Sequence, residues 1–386
     1  MPKLVRITTV PISMMLLLKG QMKFMKENGF EVTMISSDGI EIPQLIQQEG
    51  CPHLVIRLTR KITPFTDLIS LIKLTFLLRK LKPDIVHTHT PKAGLIGMWA
   101  ARFSGVPVRL HTIAGLPWIE KKGMLKKVLI TIEKLTALTA TAIFPNSFVQ
   151  RDYLYSHGIA RGKMKVIGSG SSNGINSKFF SSNDSIKIES ERLRKEANVP
   201  NEGWVWIFVG RIVKDKGIAE LVDAFEKIYD QFPNDRLFLV GEEEAQLDPL
   251  EPLCRNKIYQ HPAIISWGFQ KDIRPFLAAS KILVFPSYRE GFPNVPLQAG
   301  SMGCMLILSD INGCNEIVKN GVDGMLVPPK NSAALTNAML SARKNPNQTN
   351  EFASLIKEKI SQNYSQQVLW QLILKEYQHQ LKSAFN

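Results

Sequence analysis

The sequence predicts an α/β protein built from two doubly wound parallel-sheet domains. Three observations carry that prediction. The chain has 386 residues, more than one hydrophobic core of ordinary size accommodates. Short buried strand-like runs alternate with amphipathic helical runs, the signature of parallel sheets covered on both faces. A polar stretch, Gly168–Asp184 (GSGSSNGINSKFFSSND), divides the alternation into two series, and its Gly, Ser and Asn content reads as a linker with little to bury.

In the first series, Leu4–Thr9, Glu31–Ser36, Ile85–His89, Val108–Thr112 and Ala142–Asn146 read as buried strands. Helical patterns lie between them at about 15–27, 66–81, 92–104 and 124–139. In the second series the strands are Trp204–Val209, Arg236–Val240, Ile264–Trp267, Ile282–Pro286, Met305–Ser309 and Gly324–Val327. Helices are expected near 217–232, 272–280, 294–303, 314–319 and 332–344, and a last helical pattern spans Ser365–Leu381. The expected organisation is residues 1–178, residues 179–364 and a terminal helix over 365–386. No repeat of fixed period is visible. Two such domains imply a cleft, with ligands outside the carboxyl ends of the strands, where helix N-termini and loop amides converge.

Composition narrows the function. Hydrophobic residues make up 44% and charged residues 21% of the chain, which describes a globular protein. Cys51, Cys254, Cys304 and Cys314 are scattered without a Cys-x-x-Cys pair, so neither a zinc site nor a disulfide framework is expected. No apolar run reaches eighteen residues. Val10–Leu18 is short, has no small-residue cleavage site behind it, and reads as a strand end entering a helix.

The net charge of +14 is unevenly spread: residues 1–190 hold 26 Lys and Arg against 12 Asp and Glu, the remainder 22 against 22. The basic half suits an anionic surface. A nucleic acid is not expected, because the cations do not alternate with aromatic residues. Lys121–Lys134 and Leu74–Leu81 mix cations with large apolar side chains at helical spacing, as helices lying on anionic lipid do; surface helices packed on the sheet look similar.

Two segments concentrate distinctive residues. In Phe208-Val-Gly-Arg-Ile-Val-Lys-Asp-Lys-Gly217, Gly210 turns the chain at a strand end, and Arg211, Lys214 and Lys216 stand beside a helix start. That arrangement offers fixed cations and amides to a diphosphate, although solvated basic loops share the composition. In Val284-Phe-Pro-Ser-Tyr-Arg-Glu-Gly-Phe-Pro-Asn-Val-Pro-Leu-Gln-Ala-Gly300, a strand runs into a Glu290–Gly291 turn and a helix from about Asn294. Glu290 is placed to accept from hydroxyl groups or to cap that helix.

Both segments resemble the donor half of the family-4 retaining glycosyltransferases of surface-polysaccharide biosynthesis. The family stretch G-R-x-x-x-x-K-G matches Gly210, Arg211, Lys216 and Gly217; P-S-x-x-E-G-x-P-x-x-x-L-E-A matches Pro286, Ser287, Glu290, Gly291, Pro293, Leu297 and Ala299. Val240-Gly241, Gly268 and Asn320–Pro328 follow the family pattern in order. The resemblance implies the GT-B fold, with the acceptor on the N-terminal domain and the terminal helix crossing back to it.

It also implies a metal-independent enzyme without cofactor. Such an enzyme moves a sugar, with retention, from a nucleotide diphosphate donor (UDP expected) to a lipid-linked or saccharide acceptor such as a polyprenyl diphosphate. The place implied is the inner membrane face, in capsule or lipopolysaccharide assembly. Arg211 and Lys216 would hold the diphosphate, Glu290 the donor sugar, the backbone at Phe269 the nucleobase, and Gly241 would permit close approach. Gly291, Phe292, Asn294 and Val295 would complete the donor loop.

Three departures stand out. The family's second glutamate is Gln298 here, which predicts a weaker ribose contact with Asn294 assisting. The glycine pair usual after the first strand is replaced by Thr8-Thr-Val-Pro, leaving Gly20. The family's cleft histidine falls at Ala114, so His111 either replaces it or is a packed strand histidine. His87 and His89 alternate along one strand, and one of them, His89 by its place at the strand end, is expected to face the cleft. Asn146-Ser147 resembles the family's turn at the cleft edge, with Ser147 either contacting a substrate or capping a helix. A sugar-nucleotide epimerase and a non-catalytic sugar- or lipid-binding protein are the alternatives.

Overall fold

The structure, a computed structural model, describes residues 1–386 apart from 60–62, 117, 119–121, 161, 245–247 and 386. Lys121, the first residue of one basic segment, lies outside the described residues. The chain divides into two units, one of residues 1–173 with 366–386, the other of residues 174–365.

The first unit runs β1 (Lys3–Ile7), α1 (Pro11–Leu17), α2 (Gln21–Glu27), β2 (Glu31–Ser36), α3 (Ile42–Glu49), β3 (His53–Val55) and α4 (Pro64–Leu81). It continues with β4 (Ile85–His89), α5 (Pro91–Phe103), β5 (Val108–Ile113), α6 (Gly123–Thr139), β6 (Ala142–Pro145) and α7 (Phe148–Ser156). The second unit contains α8 (Asp184–Glu196), β7 (Val205–Val209), α9 (Ile218–Gln231), β8 (Arg236–Val240), α10 (Pro252–Gln260), β9 (Ile264–Gly268), α11 (Arg274–Ala279) and β10 (Ile282–Phe285). It closes with α12 (Asn294–Met302), β11 (Met305–Ser309), α13 (Cys314–Ile317), β12 (Met325–Val327), α14 (Ser332–Lys344) and α15 (Pro346–Asn363). The terminal helix, α16 (Gln366–Phe385), returns to the first unit.

Each unit holds one six-stranded sheet, ordered β3-β2-β1-β4-β5-β6 and β12-β11-β10-β7-β8-β9. Every strand pairing is parallel. Strands buried on both faces must be apolar throughout, and Val205–Val209 (VWIFV) is buried at every position. The strand order reverses between β1 and β4 in one unit and between β7 and β10 in the other. In open parallel sheets the connections leave such reversal points on opposite faces, opening a crevice at the carboxyl ends.

In the first unit Leu4, Met14, Met22, Leu110, Phe144, Leu369, Ile373 and Tyr377 form the core on one face of the sheet. Val5, Ile7, Leu74, Ala93, Ile96 and Ile143 form it on the other, beneath α4 and α5. The second unit has one continuous core that includes Trp206, Phe208, Phe225, Leu283 and Ile307.

Two local expectations are corrected. The single helix expected over 15–27 is two helices, because Gly20 has φ +82° and its Cα faces the Trp370 ring. The first part of the polar stretch 168–184 is packed, with Ser171, Asn173 and Ile175 buried, while 176–184 is mostly exposed. Asn173 accepts from the Trp370 indole nitrogen at 2.7 Å and from Gln21 at 3.1 Å. There Asn173 is the partner of buried polar groups, a role that composition does not distinguish from exposure.

Candidate functional site

In the second unit the two distinctive segments leave the sheet at its reversal point, the carboxyl ends of β7 and β10. After β7, Gly210 at φ +151° turns the chain and its amide bonds the Val240 carbonyl at 2.9 Å. Gly241 has the same φ, and a Cβ there would overlap the Gly210 carbonyl oxygen, so the two turns pack backbone to backbone. Lys214–Lys216 form one turn of 3₁₀ helix, ended by Gly217 at φ +69°. A Cβ at Gly217 would overlap the Pro286 carbonyl oxygen at the end of β10. Only glycine satisfies both the left-handed backbone and this approach.

That approach joins Lys216 to Glu290. The Lys216 ammonium lies 2.6 Å from Glu290 Oε1 and 3.4 Å from Ser287 Oγ, and the two charged side chains are only 14% and 16% exposed. Two further ties hold the segments together: the Tyr288 amide donates to the Asp215 carbonyl at 2.8 Å, and Arg289 pairs with Asp215 at 3.0 Å. The Asn312 side-chain amide donates to the Gly291 carbonyl at 3.0 Å and to the Glu290 carbonyl at 3.3 Å, fixing the turn that carries the carboxylate. Helix α12 begins after Pro293 with no side-chain cap, so Glu290 is engaged by Lys216 and not by that helix.

Arg211 is bonded elsewhere. It is 47% exposed and bonds Glu244 at 2.8 Å. Phe269 is 74% exposed beyond β9. Phe292 is partly buried against the Tyr364 ring, centroids 5.7 Å apart, and Val295 packs on the core. Gln298 is partly buried, while Asn294 is exposed at the start of α12.

In the first unit the predicted residues fall on opposite faces of the sheet. His87 and His89 both face α16, their ring centroids 4.3 Å apart. Residues i and i+2 of a strand share a face, so the two rings lie on the same side of the sheet. His89 Nε2 is 2.8 Å from an Arg6 guanidinium nitrogen, and His87 bridges the Tyr377 hydroxyl (2.6 Å) and Thr112 Oγ1 (2.8 Å). Arg6 is wholly buried and donates to Tyr377 and Gln21. Burial, then neighbouring cationic groups, hold both imidazoles well below the usual histidine range. A cavity of about 20 Å³, room for one water, adjoins these rings.

His111 points the other way, beneath α5. It is 2% exposed, Nδ1 lies 2.8 Å from Thr88 Oγ1, and its ring occupies the space a Cβ on Gly94 would need. Burial depresses its pKa to about 4, so the ring is neutral. Ser147 caps α7 by accepting from the Gln150 amide at 3.0 Å.

Sequence reasoning missed Glu244, Asn312, Arg6 and Tyr377. Arg6 carried a signal, being a lone charge inside the strand-like run Leu4–Thr9. Asn312-Gly313 after β11 is a turn dipeptide whose partner only the fold supplies.

Two six-stranded parallel sheets, each reversing its strand order once, are the halves of a GT-B glycosyltransferase. Residues 189–359 match the family model described as glycosyl transferases group 1, and residues 19–170 match the glycosyl transferase 4-like domain. The capsular polysaccharide biosynthesis glycosyltransferase CapM of Staphylococcus aureus is 32% identical over 371 residues, 95% of each chain. The UDP-Gal:alpha-D-GlcNAc-diphosphoundecaprenol alpha-1,3-galactosyltransferase of Escherichia coli is 28% identical, covering 83% of this chain and 82% of its own. The crystal structure of Anabaena Alr3699/HepE in complex with UDP superposes with a TM-score of 0.82 at 20% identity, over 98% of this chain and 100% of that one. The chain belongs to this glycosyltransferase family, the group 1 enzymes with a 4-like N-terminal domain.

Proposed function

We propose that the enzyme transfers a sugar, with retention and without metal, from a UDP-sugar to a lipid-linked saccharide at the inner membrane surface in surface-polysaccharide assembly. The observation that carries this reading is the Lys216–Glu290 pair, 2.6 Å apart and mostly buried at the reversal point of the second sheet. Lys216 supplies a fixed cation for the charge that develops on the departing diphosphate, where preorganised charge is most effective. Glu290 then accepts from donor-sugar hydroxyls, and Arg211 exchanges Glu244 for a phosphate. Gln298 offers the ribose one acceptor oxygen, and the backbone at Phe269 takes the base. Retention follows from attack on the face the diphosphate leaves, with that diphosphate assisting deprotonation of the acceptor.

A lipid-linked acceptor is supported by the E. coli relative, whose name specifies a UDP-Gal donor and a diphosphoundecaprenol-linked acceptor. The membrane surface is supported by two helices that keep large apolar residues outside as well as on the core. On α4, Phe65, Leu68, Ile69, Ile72 and Phe76 are exposed while Ser70, Leu74, Thr75 and Leu78 are buried. On α6, Met124, Leu125, Val128 and Leu138 are exposed while Glu133, Thr136 and Thr139 are buried. No helix among the described residues is long and apolar enough to cross a membrane.

The test is UDP release from UDP-sugars, measured with and without a lipid-diphosphate saccharide. Release that requires acceptor is expected; conversion of the donor to its epimer without acceptor would replace this reading with an epimerase.

A further inference from the structure

The first unit carries a second feature, on the edge of its sheet opposite His89 and Asn146. A groove of about 820 Å³ opens at the amino-terminal ends of β5 and β6, between the last turns of α5 and α6. Trp99, Phe103 and Leu138 form an apolar wall; Arg102, Arg109 and Lys163 supply the charge, and no carboxylate lines it. The Trp99 and Phe103 rings lie 5.4 Å apart, and Phe103 and Leu138 are half exposed or more.

The three cations have no acidic partner among the described residues. Arg109 donates to the carbonyls of Thr139 (2.7 Å), Val106 (2.6 Å) and Pro107 (3.2 Å), all with Nε and Nη1. Lys163 donates to the carbonyls of Ala140 (3.1 Å) and Leu138 (3.4 Å). These bonds quench the negative end of α6, which would otherwise repel an anion. The Arg102 guanidinium makes no hydrogen bond or ion pair among the described residues, and its charge, after burial, holds the Arg109 guanidinium below its usual range. Arg79 extends the cationic rim by donating to the Phe103 carbonyl at 3.2 Å.

We propose that this groove binds the phosphate headgroup of an anionic membrane lipid, with Arg102, Arg109 and Lys163 around the phosphate and the glycerol and first methylenes on Phe103 and Leu138. The inference rests on the membrane-surface reading above and gives it a specific foothold. A lipid suits the groove better than free phosphate because its apolar wall is exposed at the mouth. That wall also continues the outward apolar stripes of α4 and α6, both of which pack against α5. A bilayer would meet the stripes and the groove together.

The experiment is vesicle flotation of the full chain at low salt, comparing phosphatidylcholine vesicles with vesicles one-third phosphatidylglycerol. Wild type is expected on the anionic vesicles only. Each surface cation contributes about a fivefold gain in binding, so Arg102→Gln combined with Lys163→Gln is expected to lose roughly 25-fold. The double variant should keep the wild-type rise in melting temperature on adding UDP, which reads the donor site independently. Should Lys163→Gln lower the melting temperature without ligand, Arg102→Gln alone, whose side chain has no bond to lose, must still lose about fivefold. Undiminished flotation of these variants overturns the headgroup site while leaving the transferase reading intact. The headgroup site is equally overturned if millimolar inorganic phosphate stabilises wild type but not the variants while neither floats with anionic vesicles.

Discussion

At the scale of single residues, the Lys216–Glu290 pair decides most. Its charges are largely out of water, so removing one partner strands the other. Lys216→Ala is expected to lower kcat/KM by about 10²–10³, the effect typical of losing one preorganised transition-state group. UDP affinity should fall too, while the thermal unfolding transition remains cooperative; unchanged kcat/KM with wild-type UDP binding would remove Lys216 from the site. At Gln298 the expectation runs in two directions. Replacing it with Glu restores a carboxylate that accepts from both ribose hydroxyls and should tighten UDP by roughly 1–3 kcal/mol, whereas Gln298→Ala should weaken it. Calorimetric titration with UDP reads both, and a dissociation constant indifferent to either change ends the ribose assignment.

The buried histidines make a pH prediction. His87, His89 and His111 have folded-state pKa values below 6.5, so below that pH the unfolded chain binds more protons than the native one. Their contribution to stability is present above pH 6.5 and is lost as pH falls towards the folded values. Glu133 opposes this: burial raises its pKa to about 7, so the native state takes up its proton first as pH falls from 7 to 4.5. His53 and His261, also lowered by burial, act in the same direction, so the histidines outweigh Glu133 and the melting temperature should drop between pH 7 and pH 5. His89→Asn should shallow that slope; a melting temperature that fails to drop over this window would show the imidazoles to be freely protonated.

At the scale of elements, the turns between strand and helix set the site. Gly217→Ala combines a left-handed backbone with overlap on the Pro286 carbonyl. It is expected to cost more than about 1–2 kcal/mol, the ordinary penalty for a non-glycine residue in that conformation, and to push Lys216 off Glu290. Urea unfolding and UDP titration together check both halves, since a merely destabilised protein would still bind UDP below its transition. The long apolar strands and most helices were legible from period alone, because burial on two faces leaves no other pattern. What was missed was short or polar. Strand β3 has three residues, and α8 buries only Ile186, Ser190 and Leu193 among charged neighbours. Helix α15 buries a stripe of Thr349, Phe352, Ile356 and Ile360 that begins behind Pro346, where a helix is easily read as ended.

At the scale of the whole molecule, the helix that closes the chain, α16, belongs to the first unit. Leu369, Ile373, Leu374 and Tyr377 are buried there, and Tyr377 bonds Arg6. Burying four such side chains contributes roughly 6–12 kcal/mol, comparable with the entire stability of a domain. A chain ending at Ser365 should therefore lose cooperative unfolding of the first unit, seen as loss of part of the calorimetric transition, whereas Tyr377→Phe should cost only about 1–3 kcal/mol. A truncated chain that melts as the full one does would show α16 to be dispensable.

By itself the sequence determined that this is a two-sheet parallel α/β protein and that its family is that of the group 1 glycosyltransferases. Hydrophobic period and glycine turns are local, and they survive in the linear order of residues. It also determined where the excess positive charge lies, since counting needs no coordinates. Only the tertiary structure decided that Lys216 meets Glu290 while Arg211 pairs with Glu244, and that His111 turns beneath α5 while His87 and His89 face Arg6. It likewise decided that α4 and α6 leave large apolar side chains exposed besides those they pack on the core. The reason is physical: a side chain's partner is set by which strands lie next to each other and which face it takes, and residues 74 positions apart in the chain acquire that relation only when the sheet forms.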